Sequence, residues 1–179
     1  MVAGMIRRLS PLVLALAGAA ALATLAPQLA AQDEQRGTGL PLPRFVSLKS
    51  DNVNVRRGPG QEYEIAFTFV RAELPVEITQ EFDNWRKIRD SDGAEGWVFH
   101  SLLSGKRTAL VAPWETSGPF PARRSANGGA AVVAYLEPRV IADVGECTGT
   151  WCLISVQGHE GWIAQERLWG VYPDEVFEE

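Results

Sequence analysis

Cys147 and Cys152 are the two cysteines of the 179-residue chain, and His159 follows seven residues after the second. Three chemistries could use them. A cysteine nucleophile needs its thiolate held by an imidazole and oriented by a third group. Here the imidazole, His159, sits in the turn Gln157-Gly-His-Glu-Gly161, and Cys152 has a second thiol beside it. A zinc site would have to recruit His100 from the other half of the chain, and no C-x-x-C or H-x-x-x-H spacing exists. The third chemistry is a disulfide across the turn that contains Gly149. It needs Cα atoms within about 7 Å and an oxidising compartment. In the chain-entropy model, closing a loop of about six residues contributes about 2 kcal/mol.

Other chemistry-bearing clusters read as turns. Asp90, Asp92 and Glu95 fall within the hairpin tip Asp90-Ser-Asp-Gly-Ala-Glu95, far shorter than the run of alternating oxygen ligands a calcium loop requires. Gly58-Pro-Gly60 separates two strand-like runs, whereas a phosphate-cradling loop opens a helix. The expectation is a disulfide between Cys147 and Cys152, with no catalytic group, no metal and no cofactor.

The compartment follows from the first residues. Arg7 and Arg8 precede an uncharged run rich in Ala and Leu that ends in Leu29-Ala-Ala31, the layout of a secretory signal. The apolar core, Pro11 to Ala26, is shorter than the roughly 20 residues of a membrane span. Residues 1–31 are therefore read as a signal peptide cleaved after Ala31, the alternative being an uncleaved anchor. The arginine pair hints at twin-arginine export, but no hydrophobic pair follows it, so general secretion is favoured. Cleavage removes two arginines and no acid, taking the formal net charge from −5 to −7. Nothing basic enough to track nucleic acid remains, since Arg56-Arg57, Lys106-Arg107 and Arg123-Arg124 are isolated pairs. The location is periplasmic or extracellular, with no membrane span after cleavage.

The elements that must carry these residues are short strands arranged as a repeat. Trp85-Arg-Lys-Ile88 leads to Gly96-Trp-Val98, and Trp151-Cys-Leu-Ile154 leads to Gly161-Trp-Ile163, the tryptophan pairs being offset by 66 and 65 residues. Upstream, Val53-Asn-Val-Arg56-Arg57 stands 67 residues before Phe120-Pro-Ala-Arg123-Arg124. Aromatic and β-branched runs of strand length, with turn residues every 8–12 positions, argue for small barrels or sandwiches. The predicted architecture is all-β, two five-stranded barrels. A disordered lead spans 32–43, barrel 1 44–105, a linker 106–118, barrel 2 119–173 and an acidic tail 174–179. Thr108-Ala-Leu-Val111 is a candidate bridging strand within the linker.

Side-chain alternation places Ile88 in the first core and Trp85, Lys87 and Arg89 on the opposite face. It likewise turns Cys152, Ile154 and Val156 inward, and Trp151, Leu153 and Ser155 outward. Trp85 and Trp151 thus occupy equivalent outward positions. They are read either as a contact surface or as lids folded over the Gly-Trp step of their own barrels.

Asp51-Asn-Val-Asn-Val-Arg56-Arg57-Gly-Pro-Gly60, Trp85-x-x-Ile88 and Gly96-Trp-Val98 together resemble the bacterial SH3-like (SH3b) domain along nearly its whole length. The second unit is similar but opens on Phe120-Pro-Ala-Arg-Arg-Ser-Ala-Asn127, without Val-Asn-Val or Gly-Pro-Gly. The resemblance implies small barrels that bind rather than catalyse, with cell-wall peptides or envelope proteins as partners. It also implies the company of cell-wall peptidases, in which chemistry Cys152 would be the nucleophile and His159 its base. The expected function is a non-catalytic exported binding module that recognises a cell-envelope peptide or peptidoglycan stem. Trp85 and Trp151 are the anchors, with Arg56, Arg57, Tyr63 and Tyr135 as rim residues. The alternative is a structural adaptor whose docked barrels bury Trp114, Trp169 and Tyr172 and present the tail to an envelope protein.

Overall fold

A computed structural model describes residues 37–178; the expected signal peptide and the first part of the lead lie outside them. The first unit contains β1 (Arg44–Leu48), β2 (Val53–Arg56), β3 (Ile65–Phe69), β4 (Pro75–Phe82), β5 (Trp85–Arg89), β6 (Glu95–Phe99) and, after a 3-10 turn at His100–Leu102, the two-residue β7 (Leu103–Ser104). The second contains β8 (Thr108–Val111), β9 (Phe120–Arg123), β10 (Val132–Leu136), β11 (Ile141–Thr148), β12 (Trp151–Val156), β13 (His159–Ala164), a 3-10 turn at Gln165–Arg167, β14 (Leu168–Trp169) and β15 (Val176–Glu178). The sheet orders β3-β2-β6-β5-β4-β1-β7 and β10-β9-β13-β12-β11-β8-β14 are the same path traced twice. Each path has seven strands rather than five, and one of the additional strands in each is the short closing strand, β7 or β14, that follows the 3-10 turn.

Local chemistry explains the repeated motifs. In the β5–β6 tip, Asp90 Oδ1 accepts hydrogen bonds from the backbone N–H groups of Asp92 and Ala94, the Asx-turn geometry that its position predicts. The glycine of each Gly-Trp step marks a close backbone approach. A Cβ on Gly96 would lie 2.4 Å from Val55 Cγ1 and 2.9 Å from the Arg56 carbonyl oxygen, and one on Gly161 would lie 2.9 Å from Ala122 Cβ. The long strands β4 and β11 carry register shifts at Ile78/Gln80 and Val144/Glu146, and bulges of this kind bend a strand.

Each unit has its own core. Leu48, Val53, Val55, Val76, Ile78, Ile88 and Val98 form the first. Ala109, Val111, Ala142, Val144, Cys147, Cys152, Ile154, Ile163, Leu168 and Val171 are among those forming the second. The inward parity expected for Ile88, Cys152 and Ile154 is observed.

Thr108–Val111 is not a bridge within a linker but the first strand of the second sheet. It pairs with β11 at Ala109↔Ala142 and with β14 at Leu168↔Val111, and all four of its residues are buried. Ala109 and Val111 enter the second core, whereas the Thr108 hydroxyl donates to the Glu73 carbonyl of the first unit. A strand buried on both faces carries no alternating pattern, which is why it reads as a connector. The segment expected as an acidic tail also folds back: β15 pairs with β11 at Cys147↔Phe177. Residues 37–43 have no regular secondary structure, yet Thr38 donates through its hydroxyl to Glu81 Oε1 and through its backbone N–H to the same carboxylate.

Cys147 and Cys152 form a disulfide, with Cα atoms 4.1 Å apart, and they pair directly across β11–β12. Both are buried. Removing the link in Cys147→Ala/Cys152→Ala should lower unfolding free energy by about 2 kcal/mol, read as a lower denaturant midpoint. Equal midpoints for the variant and the oxidised parent would contradict this.

Candidate functional site

The outer face of the first unit presents a row set by strand register. Phe45 on β1 lies opposite Glu77 on β4, and Glu77 lies opposite Arg89 on β5. Cross-strand neighbours on one face interact directly, and Arg89 donates from Nε to Glu77 Oε2 at 2.9 Å. Although it points away from its own core, Glu77 is only 3% exposed. The second unit covers it: Tyr172 donates its hydroxyl to Glu77 Oε1 at 3.0 Å. Phe45 packs against Trp169 edge-on at 5.2 Å and against Tyr172 at 4.8 Å, while the Arg89 guanidinium lies 5.9 Å from the Trp169 ring centroid. Burial, reinforced by the Glu77 hydrogen bond, pushes the Tyr172 phenol well above its ordinary range.

The segment joining the units is itself pinned. Lys106 Nζ contacts Glu73 of the first unit and Asp143 of the second, each at 2.7 Å, and Ser47 Oγ donates to the Lys106 carbonyl. Further along the junction, Arg139 pairs with Asp92. The units are therefore docked, as the adaptor alternative required.

Docking leaves one side open. A groove of about 660 Å³ runs between the units, walled by Phe45, Glu77 and Arg89 on one side and by Trp151, Trp169 and Tyr172 on the other, with Trp114 at its edge. Trp114 is 53% exposed, contrary to the burial the adaptor reading expected, while Trp169 and Tyr172 do pack between the units. The turn that the disulfide spans supplies Gly149, Thr150 and Trp151 to the wall. Gln165, 4% exposed, forms part of the floor. Its amide nitrogen donates to the carbonyls of Tyr172 and Glu175, and its Oε1 has no partner among the described residues.

Of the six residues expected to bind, the groove takes in Trp151 alone. Trp85 is buried, at 9% exposure, and stacks edge-on against Phe99 at 5.5 Å, so it serves as a lid on its own unit. The two tryptophans differ through one cross-strand partner: Trp85 faces Phe99, while Trp151 faces Ala164. Without a ring opposite it, the Trp151 indole is left between the groove and a second cavity of about 240 Å³. Arg56 donates to the Tyr63 carbonyl at 2.6 Å, Arg57 meets Glu64 through a backbone hydrogen bond of 3.0 Å and a 3.7 Å side-chain contact, and the Tyr63 ring occupies the space a Cβ on Gly58 would need. Arg56 ends β2, and Arg57 and Tyr63 belong to the β2–β3 connection. Tyr135 lines a separate polar cleft with Arg71, Glu73 and Lys106.

Phe45, Glu77, Arg89 and Gln165 were not anticipated as site residues. Phe45 and Glu77 are read from the sequence as ordinary strand positions, and only the docking of one unit on the other gives them a role. The aromatic density of Leu168-Trp-Gly-Val-Tyr172 was the available signal for the opposite wall.

Several carboxylates beside the groove and elsewhere are held in ionised form. Burial alone would raise the pKa of Glu175, but the Arg107 hydrogen bonds and the Tyr172 N–H outweigh it, and the net shift is downward. Glu81 is likewise lowered against its burial by Arg44, Thr38 and Arg86. A carboxyl with a depressed folded pKa binds its proton more readily in the unfolded chain. Its contribution is complete above the unfolded value and is withdrawn as pH falls through the folded one. Thermal midpoints should therefore fall as pH drops below about 4.5, the ordinary glutamate value, and Glu175→Gln should fall less steeply. A flat profile from pH 6 to 3 would refute the assignment.

Among the described residues no helix is long and apolar enough to cross a membrane, and no group of three or more His, Cys, Asp or Glu side chains is placed to hold a metal ion. A comparison with curated proteins finds no match. Among solved structures, the chain matches that of NlpC1 from Trichomonas vaginalis with 12% identity and a TM-score of 0.33, 74% of this chain covering 47% of that one. NlpC2 from the same organism is similar with 10% identity and a TM-score of 0.32, 71% of this chain covering 48% of that one. The chain spans about half the length of both. The family model described as bacterial SH3 domain matches twice, at residues 49–105 and 117–170. With the same seven-strand path repeated and a family match to each copy, the chain belongs to the bacterial SH3 domain family as a tandem pair.

Proposed function

We propose that the chain is a non-catalytic binding module of the bacterial cell envelope that seats an extended peptide or peptidoglycan stem in the groove between its two SH3 units. The observation that carries this reading is the groove itself: five aromatic side chains, Phe45, Trp114, Trp151, Trp169 and Tyr172, converge on one open cavity with the ion pair Glu77–Arg89 at its wall. Ligand sites are typically concave and mostly apolar, with a few fixed polar groups, and exposed aromatic anchors dominate recognition energies. The family and the buried disulfide support an extracytoplasmic location, where such a bond persists.

Titration of soluble peptidoglycan fragments into the full chain, followed by tryptophan fluorescence, tests the proposal. Binding should weaken about tenfold or more in Trp151→Ala and in Trp114→Ala, with the thermal midpoint of Trp114→Ala close to that of the parent. Trp85→Ala should instead lower the midpoint. Absence of binding by the parent chain, or an affinity equal to the parent's in both groove variants, would overturn the reading.

A further inference from the structure

The polar composition of the groove is one-sided. Its lining includes one basic side chain, Arg89, and three acidic ones, Glu77, Glu166 and Asp174. Arg89 is committed to Glu77 through two hydrogen bonds, so that pair is internally neutral. Asp174 makes no ion pair among the described residues, and Glu166 has only a 3.6 Å contact with its neighbour Arg167. The floor adds the unpaired acceptor Gln165 Oε1. The lining therefore has a surplus of negative charge and of acceptors beside a set of aromatic faces.

Aromatic faces attract cations through the ring quadrupole, most strongly when the cation is desolvated. The structure already contains one instance in this wall: the Arg89 guanidinium lies over the Trp169 ring while bonded to a carboxylate. A second cation entering beside Trp114 and Trp151 would meet the same combination, aromatic walls with the carboxylates Glu166 and Asp174. From this we infer that the groove selects a ligand bearing a side-chain ammonium group, a peptide with a free primary amine, over a neutral or acidic peptide. The inference rests on the proposed groove binding and specifies its substrate class. The acidic formal charge of the chain, −5, favours the same partners at long range.

The test compares Nα-acetyl-Ala-Lys-Ala amide with the same peptide acetylated on its lysine, which removes the positive charge while keeping the stem. Peptidoglycan fragments with intact and with acetylated amines are titrated in parallel. The amine-bearing forms should bind the full chain about fivefold or more tightly than the acetylated forms, with a preference that shrinks as salt rises. Glu166→Gln/Asp174→Asn should abolish the preference. Equal binding of intact and acetylated fragments, or a preference that survives in the double variant, would overturn the inference and leave the groove reading standing. Failure of every fragment and peptide to bind would overturn both.

Discussion

Phe45→Ala should lower unfolding free energy by about 3 kcal/mol or more and the thermal midpoint by roughly 10 °C. Phe45 is a buried ring on the outer face of β1, and it holds Trp169 and Tyr172 of the second unit by direct ring contact. Removing it deletes buried apolar surface and leaves a void where two other rings and the Glu77–Tyr172 hydrogen bond meet. The loss falls on the junction between units, so tryptophan emission should shift red as Trp169 gains water. Phe45→Leu keeps most of the volume and should cost less than about 1.5 kcal/mol. Scanning calorimetry and fluorescence on the three chains decide the matter. A Phe45→Ala midpoint within two degrees of the parent would mean that the ring contacts contribute little.

The second large effect is expected at Gly170. Its φ is +125°, and a Cβ there would lie 2.3 Å from the Thr108 carbonyl oxygen and 2.9 Å from Ala109 Cα. Gly170→Ala meets two costs together. Backbone strain in a region that L residues avoid costs about 1–3 kcal/mol, and overpacking against a fixed backbone adds about 1–3 kcal/mol. The clash falls where β14 joins β8 and just before Val171 and Tyr172, so the wall of the groove should be displaced along with the stability. Gly93→Ala is the control: φ is +84° but nothing lies within 4 Å of the added Cβ, leaving only a backbone penalty of about 1–2 kcal/mol. Denaturant midpoints that are equal for the two variants would show that the steric contact carries no weight.

Much of this fold is legible in the chain because its evidence is local. Period-two alternation, Asp90 and Gly93 at a hairpin tip, and the twice-written Gly-Trp step each reflect constraints within one unit. The features that escape a sequence reading are those one unit imposes on the other. Glu77 reads as an ordinary strand position, and is buried because Tyr172, 95 residues later, lies on it. Thr108–Val111 reads as a connector because both its faces are covered, one by each unit. The equivalence of Trp85 and Trp151 is the instructive case. Their register is the same, but aligning the Gly-Trp steps puts Phe99 against Ala164, and that one difference decides which indole is roofed and which faces a cavity.

Only Gly105, Lys106 and Arg107 separate β7 from β8; Lys106 grips both sides of the junction through Glu73 and Asp143, and Arg107 is held to the second unit through Glu175. So short and so heavily moored a joint acts as a weld rather than a hinge. The mouth between the two halves is then a preset aperture. A guest of the kind proposed would enter at matching breadth without any closing motion to drive, and a bulkier one would find no swivel to admit it.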